Sequence, residues 1–227
     1  MMYKMEDYMK RFNAFTLAEV LITLGIIGVV AAITIPSLVA NHKKSEVTTK
    51  LKKIYSVVNQ AINLAVSENG DINEWIIYCG SSGAPICTSE QAMQWFNTYI
   101  GKHMQIIKSE TLDGGFNLYF NDGSILYIEN CIYDMIFYLN KKALNSRVFG
   151  KNAFAFRFNP VLFSDQNVNN NAHTIKQSFE PYAYSWDGTR DNLKNNSIYG
   201  CANNGNFCAK LIQYDGWQIK DDYPVKF

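Results

Sequence analysis

The 227-residue sequence has almost no charge surplus, with 21 Lys and Arg against 20 Asp and Glu. Nucleic-acid binding rests on a basic stripe that neutralises phosphates, so this balance gives that partner class no electrostatic basis. Histidine is scarce: His42, His103 and His173 are scattered, without the H-E-x-x-H spacing of a zinc hydrolase. Gly80-Ser81-Ser82-Gly83 is one residue short of G-x-S-x-G, and neither a phosphate loop nor a dinucleotide fingerprint occurs. Asp113, Asp122, Asp215, Asp221 and Asp222 stand in turn-like contexts, where turn chemistry accounts for them. The expectation is a chain that is not an enzyme and carries no cofactor. Nothing in the composition marks a disordered chain.

Cysteine is also sparse, and its spacing is informative. Cys79 and Cys87 are separated by seven residues, Cys201 and Cys208 by six, and neither pair has the C-x2-C form of a zinc knuckle. CGSSGAPIC and CANNGNFC are rich in small and turn-forming residues that let a chain double back. Two local disulfides, and hence an oxidising compartment, are one reading; buried free thiols are the other. Cys131 is left over and reads as a core residue.

Charge is most notably missing from Phe15 to Ala40, where FTLAEVLITLGIIGVVAAITIPSLVA holds Glu19 as its one charged residue. About 20 apolar residues at about 1.5 Å rise cross the roughly 30 Å hydrocarbon core, so this run can span a bilayer. It is too long for the h-region of a secretory signal peptide, although Val30-Ala31-Ala32 offers a small-x-small site. An ordinary signal anchor tolerates the length and makes Glu19 a first-turn acid facing the helix dipole. It does not account for the residues around that acid.

Ala14, Phe15, Thr16, Leu17, Ala18 and Glu19, followed by the apolar run, resemble the type IV pilin and type II secretion pseudopilin family. Gly28 and Pro36 fall where members of the family place a helix-weakening glycine and a proline. The resemblance implies cleavage between Ala14 and Phe15 by a prepilin peptidase, N-methylation of Phe15, and an assembly role for Glu19. Ala14 departs from the family's usual glycine but is also small. Removing the leader takes away Lys4, Lys10 and Arg11 with Glu6 and Asp7, and leaves a formally neutral chain. Cleavage before Phe15 creates an α-ammonium one helical turn from Glu19. A neighbouring subunit's amine meeting Glu19 would then set the axial register between helices.

The implied placement is the inner (cytoplasmic) membrane, single-pass, with the N-terminus cytoplasmic and the head extracytoplasmic. Lys43, Lys44, Lys50, Lys52 and Lys53 beyond the span oppose this orientation by charge count, but long domains translocate with little regard to charge. Implied partners are the prepilin peptidase, other pilins or pseudopilins in a homo- or hetero-polymer, and an inner-membrane assembly platform. The alternative is a membrane-anchored extracytoplasmic binding module that joins no filament.

After Pro36 the period of a helix resumes, with Val47, Leu51, Ile54, Val58, Ala61 and Ala65 on one face and Lys50, Lys52, Lys53, Asn59 and Asn63 on the other. Asn69-Gly70 is its stop signal. Thr88 and Gln91 form a capping box for a helix running to about Met104. The period then changes to two. Phe116–Phe120 and Ser124–Asn130 flank Asn121-Asp122-Gly123, a hairpin signal, and Ile132–Leu139 and Ala153–Asn159 add apolar runs, for a sheet of about four strands.

Asp134–Phe156 resembles a signature of major-class pseudopilins, with Asn145, Gly150, Lys151, Asn152, Phe154 and Phe156 in frame, Leu144 where proline is common and Asn152 where aspartate is. Some heads in that family bind calcium nearby, so Asn145 and Asn152 mark a calcium possibility, weakened by the neutral amide at 152. Asn167–Asn171 and Asn192–Asn196 read as polar loops, and Cys208–Phe227 as a terminal hairpin with a turn at Asp215-Gly216, tethered by the Cys201–Cys208 loop before it. The expected fold is α+β and pilin-like: a cleaved leader (1–14), a transmembrane helix (15–40), its amphipathic continuation (41–70) and an antiparallel-sheet head (71–227).

Overall fold

The computed structural model describes residues 16–75, 77, 87–159 and 177–227. The chain divides into two compact units, Met1–His42 and Lys43–Phe227. Helix α1 (Leu17–Asn69) contributes to both.

In the first unit the large apolar side chains of α1 are exposed, among them Leu21, Ile22, Leu24, Ile26 and Ile27. Its two threonines inside the span donate back to their own helix, Thr23 Oγ1 to the Val20 carbonyl and Thr34 Oγ1 to the Val30 carbonyl, both at 2.9 Å. Hydroxyls satisfied within their own helix suit an apolar solvent. The helix is assigned straight through Pro36 and does not restart after it, although proline deprives the carbonyl four residues back of its usual donor.

In the second unit α1 supplies a buried stripe. All six residues read as its apolar face are buried, and Ile62 joins them. Asn59, read as solvent-facing, is a correction: it is buried, because it serves the sheet edge described below. Two short helices follow, α2 (Ile72–Trp75) and α3 (Ser89–Tyr99). The capping box at α3 is formed, Thr88 Oγ1 accepting from the Gln91 amide at 3.2 Å and Gln91 Oε1 accepting from the Thr88 amide at 2.9 Å. The helix ends earlier than expected and tightens into a 3-10 turn at Gly101–His103.

The sheet has six strands: β1 (Ile106–Leu112), β2 (Gly115–Phe120), β3 (Ile125–Glu129), β4 (Asp134–Tyr138), β5 (Ala153–Phe158) and β6 (Phe179–Pro181). They follow in sequence order, and each pairs antiparallel with its neighbour. The expected four are therefore the centre of the sheet, and the two missed strands are its edges. β1 reads IIKSETL, whose polar residues suit a half-solvated edge, and β6 is only three residues long. β4 starts two residues late because Ile132, at φ 58°, turns the chain before the ladder begins. Phe116, Phe137, Phe154, Phe156 and Phe158 point into one core with the α1 stripe, α3 and Phe179. Burying each such ring removes on the order of 2–3 kcal/mol of hydration cost.

Two further helical segments replace expected loops. α4 (Lys142–Asn145) lies between β4 and β5, and α5 (Arg190–Asn195) takes most of the Asn-rich run, with Thr189 Oγ1 capping the Asn192 amide at 3.2 Å. The terminal segment is not a hairpin: α6 (Cys208–Tyr214) buries Cys208, Ala209, Leu211 and Ile212. Asp215-Gly216 ends that helix, with Gly216 at φ 74° and the Trp217 amide donating back to the Ile212 carbonyl at 2.7 Å.

Candidate functional site

Thr16 and Glu19 begin α1 as a reciprocal pair. Glu19 Oε2 accepts from the Thr16 amide and from Thr16 Oγ1, both at 2.8 Å, while Thr16 Oγ1 accepts from the Glu19 amide at 3.2 Å. Thr-Leu-Ala-Glu is thus a capping box, a signal present in the sequence in the same form as Thr88–Gln91 but passed over there. A first-turn carboxylate complements the positive end of the helix dipole and satisfies amides that have no partner inside the helix. Among the described residues Thr16 engages only Oε2 of this carboxylate. Ala14 and Phe15 lie outside the described residues. Gly28 sits on an open helix surface, where an added Cβ would meet nothing within 4 Å.

α1 is long and apolar enough to cross a membrane, with none of its most apolar window buried inside the protein. Leu17–Ala40 alone rises about 36 Å, against a roughly 30 Å hydrocarbon core.

In the head, Cys201 and Cys208 form a disulfide. Cys87 is buried, and its expected partner Cys79 lies outside the described residues. Cys131 is a free thiol but only half-buried, a correction to its reading as a core residue; it lies in the turn between β3 and β4, and partial burial pushes its thiol pKa up. Asn167–Asn171 and His173 also fall outside the described residues.

Among the described residues no group of three or more His, Cys, Asp and Glu side chains is placed to hold a metal. Asn152 instead closes its own turn, its Oδ1 accepting from the Val148 amide at 2.7 Å and its Nδ2 donating to the Ser146 carbonyl at 2.9 Å. Asn145 ends α4.

Three of the acids read as turn residues do more. Asp122 accepts from the Ser124 amide at 3.0 Å and also pairs with Lys53 of α1 at 2.7 Å. Burial pushes its pKa up, but Lys53 and Ser124 outweigh that and hold it at about 2. Arg190 forks into both Asp215 and Asp222, Nε and Nη2 to Asp215 at 2.7 and 2.8 Å, and Nη1 and Nη2 to Asp222 at 2.8 Å each. This double fork ties α5 to the C-terminal tail, and only a guanidinium has the donor geometry for it.

Residues 37–227 match the family model described as "Family of unknown function (DUF6613)". The chain belongs to that family. Residues 9–35 of this DUF6613 protein match the model described as "Prokaryotic N-terminal methylation motif", the mark of a type IV pilin- or pseudopilin-like prepilin. That match covers the capping box and the apolar start of α1. No curated protein and no solved structure matches the chain. The family member is therefore pilin-like in its N-terminal segment and α+β in its described head.

Proposed function

We propose that this protein is a structural prepilin-like subunit, cut between Ala14 and Phe15 by prepilin peptidase, N-methylated on Phe15, and assembled into a pseudopilus or type IV pilus. Residues 1–14 are the leader, 15–40 the membrane span, 41–70 its amphipathic continuation and 71–227 the head. The N-terminus faces the cytoplasm and the head lies outside the inner membrane, where the Cys201–Cys208 disulfide is chemically at home. Other pilins or pseudopilins and an inner-membrane platform are the partners, and the role is mechanical, not catalytic.

The observation that carries this reading is the methylation motif at residues 9–35, whose apolar run forms the start of α1 and has Glu19, in the helix's first turn, as its one acid. A carboxylate in lipid is expensive unless partnered. Thr16 occupies Oε2, and the α-ammonium freed by cleavage is the partner suited to Oε1. An amine from an adjacent subunit would fix the stagger of neighbouring helices by that contact.

Mass spectrometry of the protein purified from membranes tests the processing step. N-methylated Phe15 at the mature N-terminus is expected. An intact Met1, or cleavage after Ala32, sinks the assignment.

A further inference from the structure

The sheet face turned away from the phenylalanine core carries a groove of about 810 Å³, within the size range of ligand sites. Strand register builds its floor. Asn117 on β2 lies between Glu110 on β1 and Tyr127 on β3. In the next row Tyr119 faces Lys108 on one side and Ile125 on the other, and Ile125 faces Tyr138. Side chains alternate faces along a strand, so these residues project opposite Phe116, Leu118 and Phe137. Gly115 keeps this floor low: a Cβ there would come within 2.8 Å of the Tyr127 ring. Tyr127 lies across it and donates to the Gly114 carbonyl at 3.0 Å.

Two features mark this platform as a site rather than a bare surface. Asn117 is only 3 % exposed, and its Oδ1 has no hydrogen-bond partner, which is rare for a buried amide. The sides of the groove are also cationic. Lys108, on the β1 side, is tied to Glu110 at 3.1 Å, and Glu110 accepts from the Tyr119 hydroxyl at 2.6 Å. On the other side Lys141 and Arg147 line the groove with no carboxylate in ion-pair range among the described residues, Arg147 resting over the Phe149 ring at 5.0 Å.

We propose that this groove binds an acidic polysaccharide. A pyranose ring has one apolar C–H face that lies flat on a tyrosine ring and a rim of hydroxyls that donate to accessible acceptors such as Glu110. Uronate carboxylates along such a chain meet Lys141 and the fork of Arg147. A peptide fits less well. Strand addition needs a free edge, and the groove lies on a face whose main-chain groups are paired between neighbouring strands. A single DNA strand would also stack on the tyrosines, but its phosphodiester backbone has no hydroxyl donors for Glu110 and Glu129, which the rim of a pyranose supplies. The site belongs to the head alone and does not depend on filament assembly.

Isothermal titration of the full chain in detergent micelles tests this, using a galacturonate octamer and a hyaluronate octasaccharide as probes. At least one binds with a Kd below about 1 mM, and the methyl-esterified, uncharged form of that binder is weaker by about tenfold or more. Lys141→Ala and Arg147→Ala, both surface changes, each weaken binding about tenfold, and Tyr127→Ala abolishes it. The proposal is overturned if neither oligosaccharide binds, if esterification or Arg147→Ala changes nothing, or if an octaglutamate peptide or oligo-dT binds more tightly than both.

Discussion

Asn59 of α1 holds both main-chain polar groups of Phe179 on β6: its Oδ1 accepts from the Phe179 amide at 3.0 Å and its Nδ2 donates to the Phe179 carbonyl at 2.9 Å. One amide side chain thus stands where a seventh strand would, closing the edge of the sheet against the helix. The same nitrogen also reaches the Tyr55 carbonyl at 2.9 Å. Asn59→Leu keeps the γ-branched shape but leaves a buried amide and carbonyl unpaired, so a loss of about 3 kcal/mol is expected. Urea unfolding of the full chain in micelles, followed by tryptophan fluorescence, reads this; an unchanged midpoint would show that water already serves the edge.

The Asp122–Lys53 pair ties the β2–β3 hairpin to α1 and makes stability depend on pH. The carboxyl is held at about 2, against an ordinary value near 3.8. A depressed folded-state pKa means the contribution is whole above about pH 4 and is lost as pH falls toward 2. Wild-type protein should therefore lose stability across that window by more than Asp122→Asn does. Parallel acid titrations of Tm for the two proteins test it, and curves of identical shape would remove Asp122 from the acid response.

Much of this architecture is legible in the sequence where burial imposes a period. The α1 stripe from Val47 to Ala65, the hairpin at Asn121-Asp122-Gly123 and the two phenylalanine strands all follow from it. What escaped is held by polar or terminal chemistry. β1 and β6 have too few apolar residues to show a period. Asn59 looks like solvent-facing polarity until its long-range partner 120 residues away is known. α6 was hidden because Asp-Gly serves both hairpin turns and helix ends, and the Arg190 forks join α5 to residues 25 and 32 positions further on. At the N-terminus, Thr16–Glu19 has the spacing of a capping box, and the same residues fall within the methylation motif.

Cys201 and Cys208 close a loop with a sequence separation of 7, directly before α6. Both residues are buried, and α6 lies against β5 and β6. A loop this short constrains the unfolded chain by about 2–3 kcal/mol on the chain-entropy account. Reduction, or the paired change of Cys201 and Cys208 to Ala, should lower the urea midpoint accordingly. Protease cleavage within the last twenty residues should rise in parallel, and unchanged digestion would mean that packing of Leu211 and Ile212 alone secures the terminus.

Glu19 and Thr16 allow helix capping to be separated from the proposed subunit assembly, because Thr16 engages only Oε2 of the Glu19 carboxylate. Glu19→Ala removes both, so processing at Ala14–Phe15 should proceed while incorporation into filaments falls at least tenfold. Thr16→Val removes the hydroxyl that donates to Oε2 and accepts from the Glu19 amide, but leaves Glu19 its charge. A lost cap side chain costs about 1 kcal/mol, so this variant should fray the first turn yet still incorporate at a reduced level. Glu19→Gln retains hydrogen bonding without charge, and it should behave like Glu19→Ala if an ammonium is the partner and like Thr16→Val if the cap alone matters. Quantitative blotting of sheared filaments against whole cells, with mature N-termini verified by mass, gives the comparison. Equal loss in Thr16→Val and Glu19→Ala would assign the residue to helix initiation and withdraw the register contact.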